Sequence, residues 1–193
     1  MKKIGLAGGI GSGKSVVARL FEVMGFPVYD SDWHAKQLMQ SDQLLRENLM
    51  AEFGTSVFIN GVLNRQHLAA LVFEAPDRLK ILNQLVHPVV KTDFLEWTGK
   101  QSSPLVFLES AILFESEFSF LMDRIVVVTA PLELRVERAV QRDGVSKEVV
   151  LLRMANQWPE EKIVSMSDYV ISNDDKHSVI GQSILIVNEL LHS

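Results

Sequence analysis

The chain has 193 residues, 47% hydrophobic and 22% charged, with 19 Lys and Arg against 24 Asp and Glu and a formal net charge of −5. That apolar share is enough for a packed core and excludes an intrinsically disordered chain, and the length suits one domain with room for a subdomain. Cysteine is absent, which excludes disulfides, thiolate zinc sites and cysteine nucleophiles and is compatible with a reducing compartment. The acidic balance argues against a nucleic-acid partner held by bulk positive charge. No stretch approaches the roughly 18 uninterrupted apolar residues of a membrane span, so no membrane partner is expected. Met1-Lys2-Lys3-Ile4 opens like a secretory leader, but Gly5, Gly8, Gly9 and the charge of Lys14 break the apolar run. The expected location is the cytoplasm, and the expected state a monomer or weak homo-oligomer.

In chain order, short apolar runs alternate with longer segments of helical period. The first strand is predicted over Ile4–Ala7, followed after Lys14 by a helix whose stripe is Val16, Val17, Leu20 and Phe21 and whose stop is Gly25. A second strand is predicted over Pro27–Asp30. Residues 31–99 show mostly helical pattern without a clear strand, and His87-Pro88 reads as the end of a long helix in that stretch. A third strand covers Leu105–Glu109. The fourth, Ile125–Thr129, contains Ile125-Val126-Val127-Val128 with no polar alternation, as expected for a strand covered on both faces. Pro131–Arg142 follows as a helix burying Leu132, Val136, Ala139 and Val140, with Pro131 in its first turn. A second helix is predicted over Lys147–Gln157 and a last strand over Asp168–Ser172. Strands alternating with helices imply a five-stranded parallel sheet in a three-layer α/β sandwich within one domain, with residues 31–99 as a helical excursion. Ligands in such sheets bind beyond the carboxyl ends of the strands, so the excursion is placed to wall a second substrate site.

The strongest signal is Gly8-Gly9-Ile10-Gly11-Ser12-Gly13-Lys14-Ser15, a full match to G-x-x-x-x-G-K-[ST] with a strand before it and an amphipathic helix after it. Glycines let consecutive amides converge on phosphate oxygens, and the helix adds its positive end. Lys14 then reaches the β- and γ-phosphates, and the Ser15 hydroxyl holds Mg²⁺. The alternative is a glycine-rich turn that merely joins strand to helix. Val16 stands where many such loops carry a hydroxyl.

Asp30-Ser31-Asp32 closes the second strand. Read as extended chain, it puts both carboxylates on one side, about 7 Å apart. One can take the proton of an attacking hydroxyl and the other hold a Mg²⁺-bound water, Asp32 and Asp30 respectively. Helix capping is the alternative for one of them. Arg135, Arg138 and Arg142 share a helix face and have no acid three or four positions away, an arrangement suited to polyphosphate. The alternative is a solvated face with acids supplied by tertiary packing. The helical stretch that carries Arg138 and Arg142, residues 138–157, reads as a lid that would exclude water. Glu109 ends the third strand, where phosphate-binding folds place a carboxylate near the metal. The five histidines show no zinc spacing. Asn173-Asp174 is foremost a turn.

Taken together, the phosphate loop, Asp30-Ser31-Asp32, His87-Pro88, Ile112-Leu113-Phe114-Glu115, Arg138 with Gln141-Arg142-Asp143, Arg153 with Gln157, and Asp168-Tyr169-Val170-Ile171 with Asn173 resemble the dephospho-CoA kinase family of P-loop kinases over nearly the whole chain. The resemblance implies transfer of the γ-phosphoryl group of ATP to the ribose 3′-hydroxyl of dephospho-CoA, with Mg²⁺ as cofactor. It implies Asp32 as the base and Gly8 to Val16, with Gly11 to Val16 as the core, for ATP. Arg138 and Arg142 become lid contacts to phosphate. His87, Glu109 and Leu113 fall on the acceptor side, and Asn173 beside the adenine. Val16, Glu109 and Ala111 replace the usual Thr, Asp and Pro. Competing readings keep the class and change the acceptor, or make the chain a nucleotide switch; the Asn-Lys-x-Asp base reader of GTPases is absent.

Overall fold

The computed structural model describes residues 1–73 and 75–192. Its elements in order are β1 (Lys2–Ala7), α1 (Lys14–Val23), β2 (Val28–Asp30), α2 (Ser31–Ser41), α3 (Gln43–Phe53), β3 (Phe58–Ile59), β4 (Val62–Leu63), α4 (Arg65–Phe73) and α5 (Pro76–Gly99). There follow β5 (Leu105–Glu109), β6 (Arg124–Thr129), α6 (Leu132–Asp143), α7 (Lys147–Ala155), α8 (Glu160–Ser165), β7 (Tyr169–Ser172) and α9 (Val179–His192). Cα packing groups these into two units, Ser31–Lys100 and the rest of the chain.

In the larger unit five strands pair in the order β2-β5-β1-β6-β7, and every pairing is parallel. Parallel strands must be covered on both faces because their crossovers lie there. Ile4, Leu6, Phe107, Val126, Val128 and Ile171 form one buried face against Phe21 of α1 and Val187 and Leu190 of α9. Phe21 stacks on Phe107 with ring centroids 4.0 Å apart. On the other face Val106, Leu108 and Val127 are fully buried, and α8 packs against β6. Gly5 leaves this face open for Leu113, whose Cδ2 lies 2.7 Å from where a Cβ would stand. A side chain at position 5 would displace the end of Leu113 from this face. The chain leaves β1 for β2 on one side and reaches β6 on the other, so the carboxyl end of β1 is the switch point where such sheets bind ligands.

The unit Ser31–Lys100 is helical but does contain strand. β3 and β4 form an antiparallel hairpin closed by Asn60 and Gly61, both in the left-handed region (φ +50° and +79°). That is the turn that matches strand twist, and Asn-Gly is its preferred pair. A second expectation also fails, since α5 continues through His87-Pro88 to Gly99. Pro88 removes one helical donor at a cost of about 3 kcal/mol. Val86, Val90 and Phe94, all buried, lie at four-residue steps across it, and their packing offsets the loss. Pro131 is the residue before α6 and not part of its first turn.

Candidate active site

Residues 8–15 join the carboxyl end of β1 to the first turn of α1. Gly11 and Gly13 have φ of +77° and +89°, where side chains are strained. A Cβ would also strike the Arg135 backbone at Gly11 and the Asn173 amide at Gly13. Gly13 precedes α1 without any side-chain cap, so the first amides of the helix keep no acceptor inside it. The Ser12 amide donates to the Gly9 carbonyl at 3.1 Å, and the Val16 and Val17 amides donate to the Gly13 carbonyl at 3.0 and 3.2 Å. Among the described residues this leaves the amides of Gly11, Gly13, Lys14 and Ser15 as uncommitted donors. An uncapped helix start with clustered amides favours a phosphate. Val16 is 64% exposed on the first turn.

Lys14 Nζ and Ser15 Oγ both donate to Glu109 Oε1, each at 2.6 Å. Glu109 is 8% exposed, and the ammonium compensates the cost of burying its charge. The strand register places Leu6 and Asp30 on either side of Glu109, so Asp30 and Glu109 stand together at the carboxyl edge of the sheet. Ser15 and these two carboxylates offer hard oxygen donors. Among the described residues no group of three His, Cys, Asp or Glu side chains could hold a metal alone. Hard oxygen donors of this kind fit Mg²⁺, which takes one or two protein oxygens and completes its shell with phosphate and water.

Asp32 does not lie on extended chain. The strand ends at Asp30 and α2 begins at Ser31, so Asp32 occupies the first turn of a helix and strand alternation does not set its direction relative to Asp30. His87 lies within α5 and Leu113 is 1% exposed, packed over Gly5.

The arginines differ from expectation, because each has an acid. Arg135 Nη1 meets Glu160 Oε2 at 2.6 Å, Arg138 Nη2 meets Asp175 Oδ1 at 2.7 Å, and Arg142 Nε meets Asp143 Oδ1 at 2.7 Å. Two of these acids come from distant sequence, which helix spacing cannot reveal. Nor do the three share an environment: Arg135 is 9% exposed, whereas the Arg142 side chain is 64% exposed. Arg153 adds a second contact to Asp143, tying α7 to the end of α6. Hydrogen bonding from Arg142 holds the Asp143 carboxyl below its ordinary range. Burial pushes the Glu160 carboxyl up, partly opposed by the Arg135 charge.

Two side chains hold the loop in ways no short motif reveals. Asn173 donates from Nδ2 to the Ser12 carbonyl at 2.8 Å, and its own carbonyl accepts from Arg138 Nη1 at 3.1 Å. Gln157 accepts the Ile10 amide at 2.9 Å and donates to the Ala111 carbonyl at 2.9 Å. The turn after Asn173 is fastened by Asp174, which accepts the amides of Lys176 and His177 at 3.1 and 3.0 Å and pairs with the His177 ring at 2.8 Å. The His177 amide, the His177 ring and the Lys176 amide, in that order of effect, hold the Asp174 carboxyl well below its ordinary value. A carboxyl depressed by folding adds stability that is present above its ordinary range and is lost as pH falls through and below it. Asp174→Ala is expected to lower the melting temperature at pH 7, and the gap from the parent should shrink in melts taken below about pH 4. A gap independent of pH would exclude this linkage.

The sequence model of the family described as dephospho-CoA kinase matches residues 2–178. A dephospho-CoA kinase of Porphyromonas gingivalis is 42% identical over 188 residues, 97% of this chain and 93% of that protein. One from Bacteroides fragilis is 43% identical over 186 residues, 96% of this chain and 91% of that protein. A crystal structure of a Thermus thermophilus protein superposes with a TM-score of 0.89 at 37% identity, covering 98% of this chain and 97% of the other. With a phosphate loop at the switch point of a parallel sheet and this likeness along its length, the chain belongs to the dephospho-CoA kinase family.

Proposed function

We propose that the chain moves the γ-phosphoryl group of ATP to the ribose 3′-hydroxyl of dephospho-CoA, releasing coenzyme A and ADP. The observation that carries this reading is the convergence of Lys14 and Ser15 on Glu109 beside a loop with four uncommitted amides. Those amides and Lys14 bind the β- and γ-phosphates. Mg²⁺, when bound, neutralises charge that builds on the phosphates, with Ser15 as its direct protein ligand and Asp30 reaching it through water. Arg138 and Arg142 exchange their acids for phosphate oxygens. That exchange costs little, since Asp175 and Arg142 have side chains 67% and 64% exposed, and exposed pairs are worth about 0–1 kcal/mol. Asn173 borders the adenine, and the helix pair α6–α7 acts as the lid.

On the acceptor side, Asp32 takes the hydroxyl proton as the ribose oxygen bonds to the γ-phosphorus. The bond from that phosphorus to the bridging oxygen breaks, and ADP keeps the electron pair. His87 and Glu109 complete the acceptor side within a single working domain whose helical excursion binds the acceptor, and Leu113, buried over Gly5, supports it from the core and not by side-chain contact. Dependence on ATP supports a cytoplasmic location. ADP release measured with ATP and Mg²⁺ is expected to require dephospho-CoA and to be slower with every other hydroxyl acceptor in a panel of nucleosides and nucleotides. Equal release without acceptor, or faster release with another, would sink the assignment.

A further inference from the structure

The Ile10 backbone, at the crown of the phosphate loop, is gripped on both sides of its Cα by side chains from the second half of the chain. Its amide donates to Gln157 Oε1 at 2.9 Å and its carbonyl accepts from Arg135 Nε at 3.1 Å. Arg135 is 9% exposed and is itself fixed by Glu160 at 2.6 Å, while Gln157 is fixed by the Ala111 carbonyl at 2.9 Å. The Ile10 side chain packs with Val136, Ala139 and Val150, the cluster that joins α6 to α7. Glycine at positions 9 and 11 lets this happen: a Cβ at Gly9 would meet the Arg135 guanidinium, and one at Gly11 the Arg135 carbonyl.

We propose that Arg135, held by Glu160 and seconded by Gln157, is a positioning residue that sets the phosphate loop in its anion-binding shape from behind. The physical argument concerns entropy and direction. A loop with glycine at four of the six positions from Gly8 to Gly13, all but Ile10 and Ser12, would otherwise sample many shapes, and ordering it on binding would weaken affinity. Fixing the two peptides that flank the Ile10 Cα, one through its N–H and the next through its C=O, orients the neighbouring amides before the anion arrives. Because Glu160 is the first residue of α8 and Gln157 lies between α7 and α8, the same contacts couple the loop to the segment that follows α7.

This inference rests on the reading of residues 8–15 as the ATP loop. Its test uses two readouts, nucleotide affinity and hydrogen exchange in the free protein. In Arg135→Ala, the Kd for ATP, measured without acceptor by fluorescent-nucleotide displacement, is expected to rise about tenfold, as for loss of a charge-assisted contact network. KM for ATP should rise by more than kcat falls. Exchange of the Ile10 amide should accelerate while that of Leu6 in β1 stays protected. Glu160→Gln keeps the size of the side chain and removes its charge; it should move both readouts the same way by a smaller factor and serves if Arg135→Ala does not fold. Gln157→Glu, which keeps an acceptor for the Ile10 amide, should retain more affinity than Gln157→Leu. Unchanged Ile10 exchange, or faster exchange spread evenly over the sheet, would overturn the positioning role. If the parent bound no ATP, the assignment of the loop would fail, whereas the exchange measurement would still decide whether Arg135 holds Ile10.

Discussion

Lys14→Ala is expected to lower kcat/KM by about a thousandfold, the upper range for loss of one preorganised charge donor at a developing oxyanion. The ammonium is the one loop side chain that can follow charge as it moves from the γ-phosphoryl group to the bridging oxygen. Backbone amides are dipoles fixed in place and cannot substitute for it. The variant has a second expected consequence. Glu109 is 8% exposed and loses its ammonium partner, and breaking such a pair costs about 3 kcal/mol, the low end for buried pairs because the site borders solvent. Melting temperature should therefore fall along with activity. Lys14→Ala combined with Glu109→Gln removes the stranded charge and should recover much of the melting temperature without recovering turnover. If the double variant regained activity as well, Lys14 would be a structural counter-ion and not a phosphate ligand.

Asp32→Asn is expected to lower kcat by about 10²–10⁴-fold, the range for removing a general base, with the Kd for ATP within about twofold of the parent. Asparagine preserves size and most hydrogen bonding but cannot accept the hydroxyl proton. The separation of kcat from ATP affinity is the informative feature, because the phosphate loop belongs to a different part of the chain from α2. Single-turnover rates with saturating ATP and dephospho-CoA give the comparison. A variant with nearly parental turnover would remove Asp32 from the proton transfer and leave acceptor orientation as its role.

Most of the larger unit was legible residue by residue. Leu105–Glu109 is a strand in the structure with the bounds its apolar run suggests, and Ile125–Val128 is buried on both faces as its lack of alternation requires. The Asn60-Gly61 pair is a hairpin signal in the sequence, but its two-residue strands supply almost no periodicity to support it. Pro88 misled for the opposite reason. Its local cost is real, yet Val86, Val90 and Phe94 bury enough apolar surface to carry α5 across it, and burial is a tertiary quantity. Asp32 follows a strand directly, so alternation suggests extended chain there, whereas the capping residues around Ser31 start the helix that forms.

Within the site the division follows the range of the forces. Gly8–Ser15 announces a phosphate loop because backbone dihedrals and amide convergence are local properties that glycine spacing encodes. Which acids meet Arg135 and Arg138, what Gln157 and Asn173 hold, and the order β2-β5-β1-β6-β7 depend on residues brought together from more than twenty positions apart. Those pairings are chosen by burial of apolar surface across the whole sheet, and charge and hydrogen-bond partners follow from it. The amino-acid sequence alone therefore determined the nucleotide loop and the strands that frame it, and only tertiary packing decided how that loop is held.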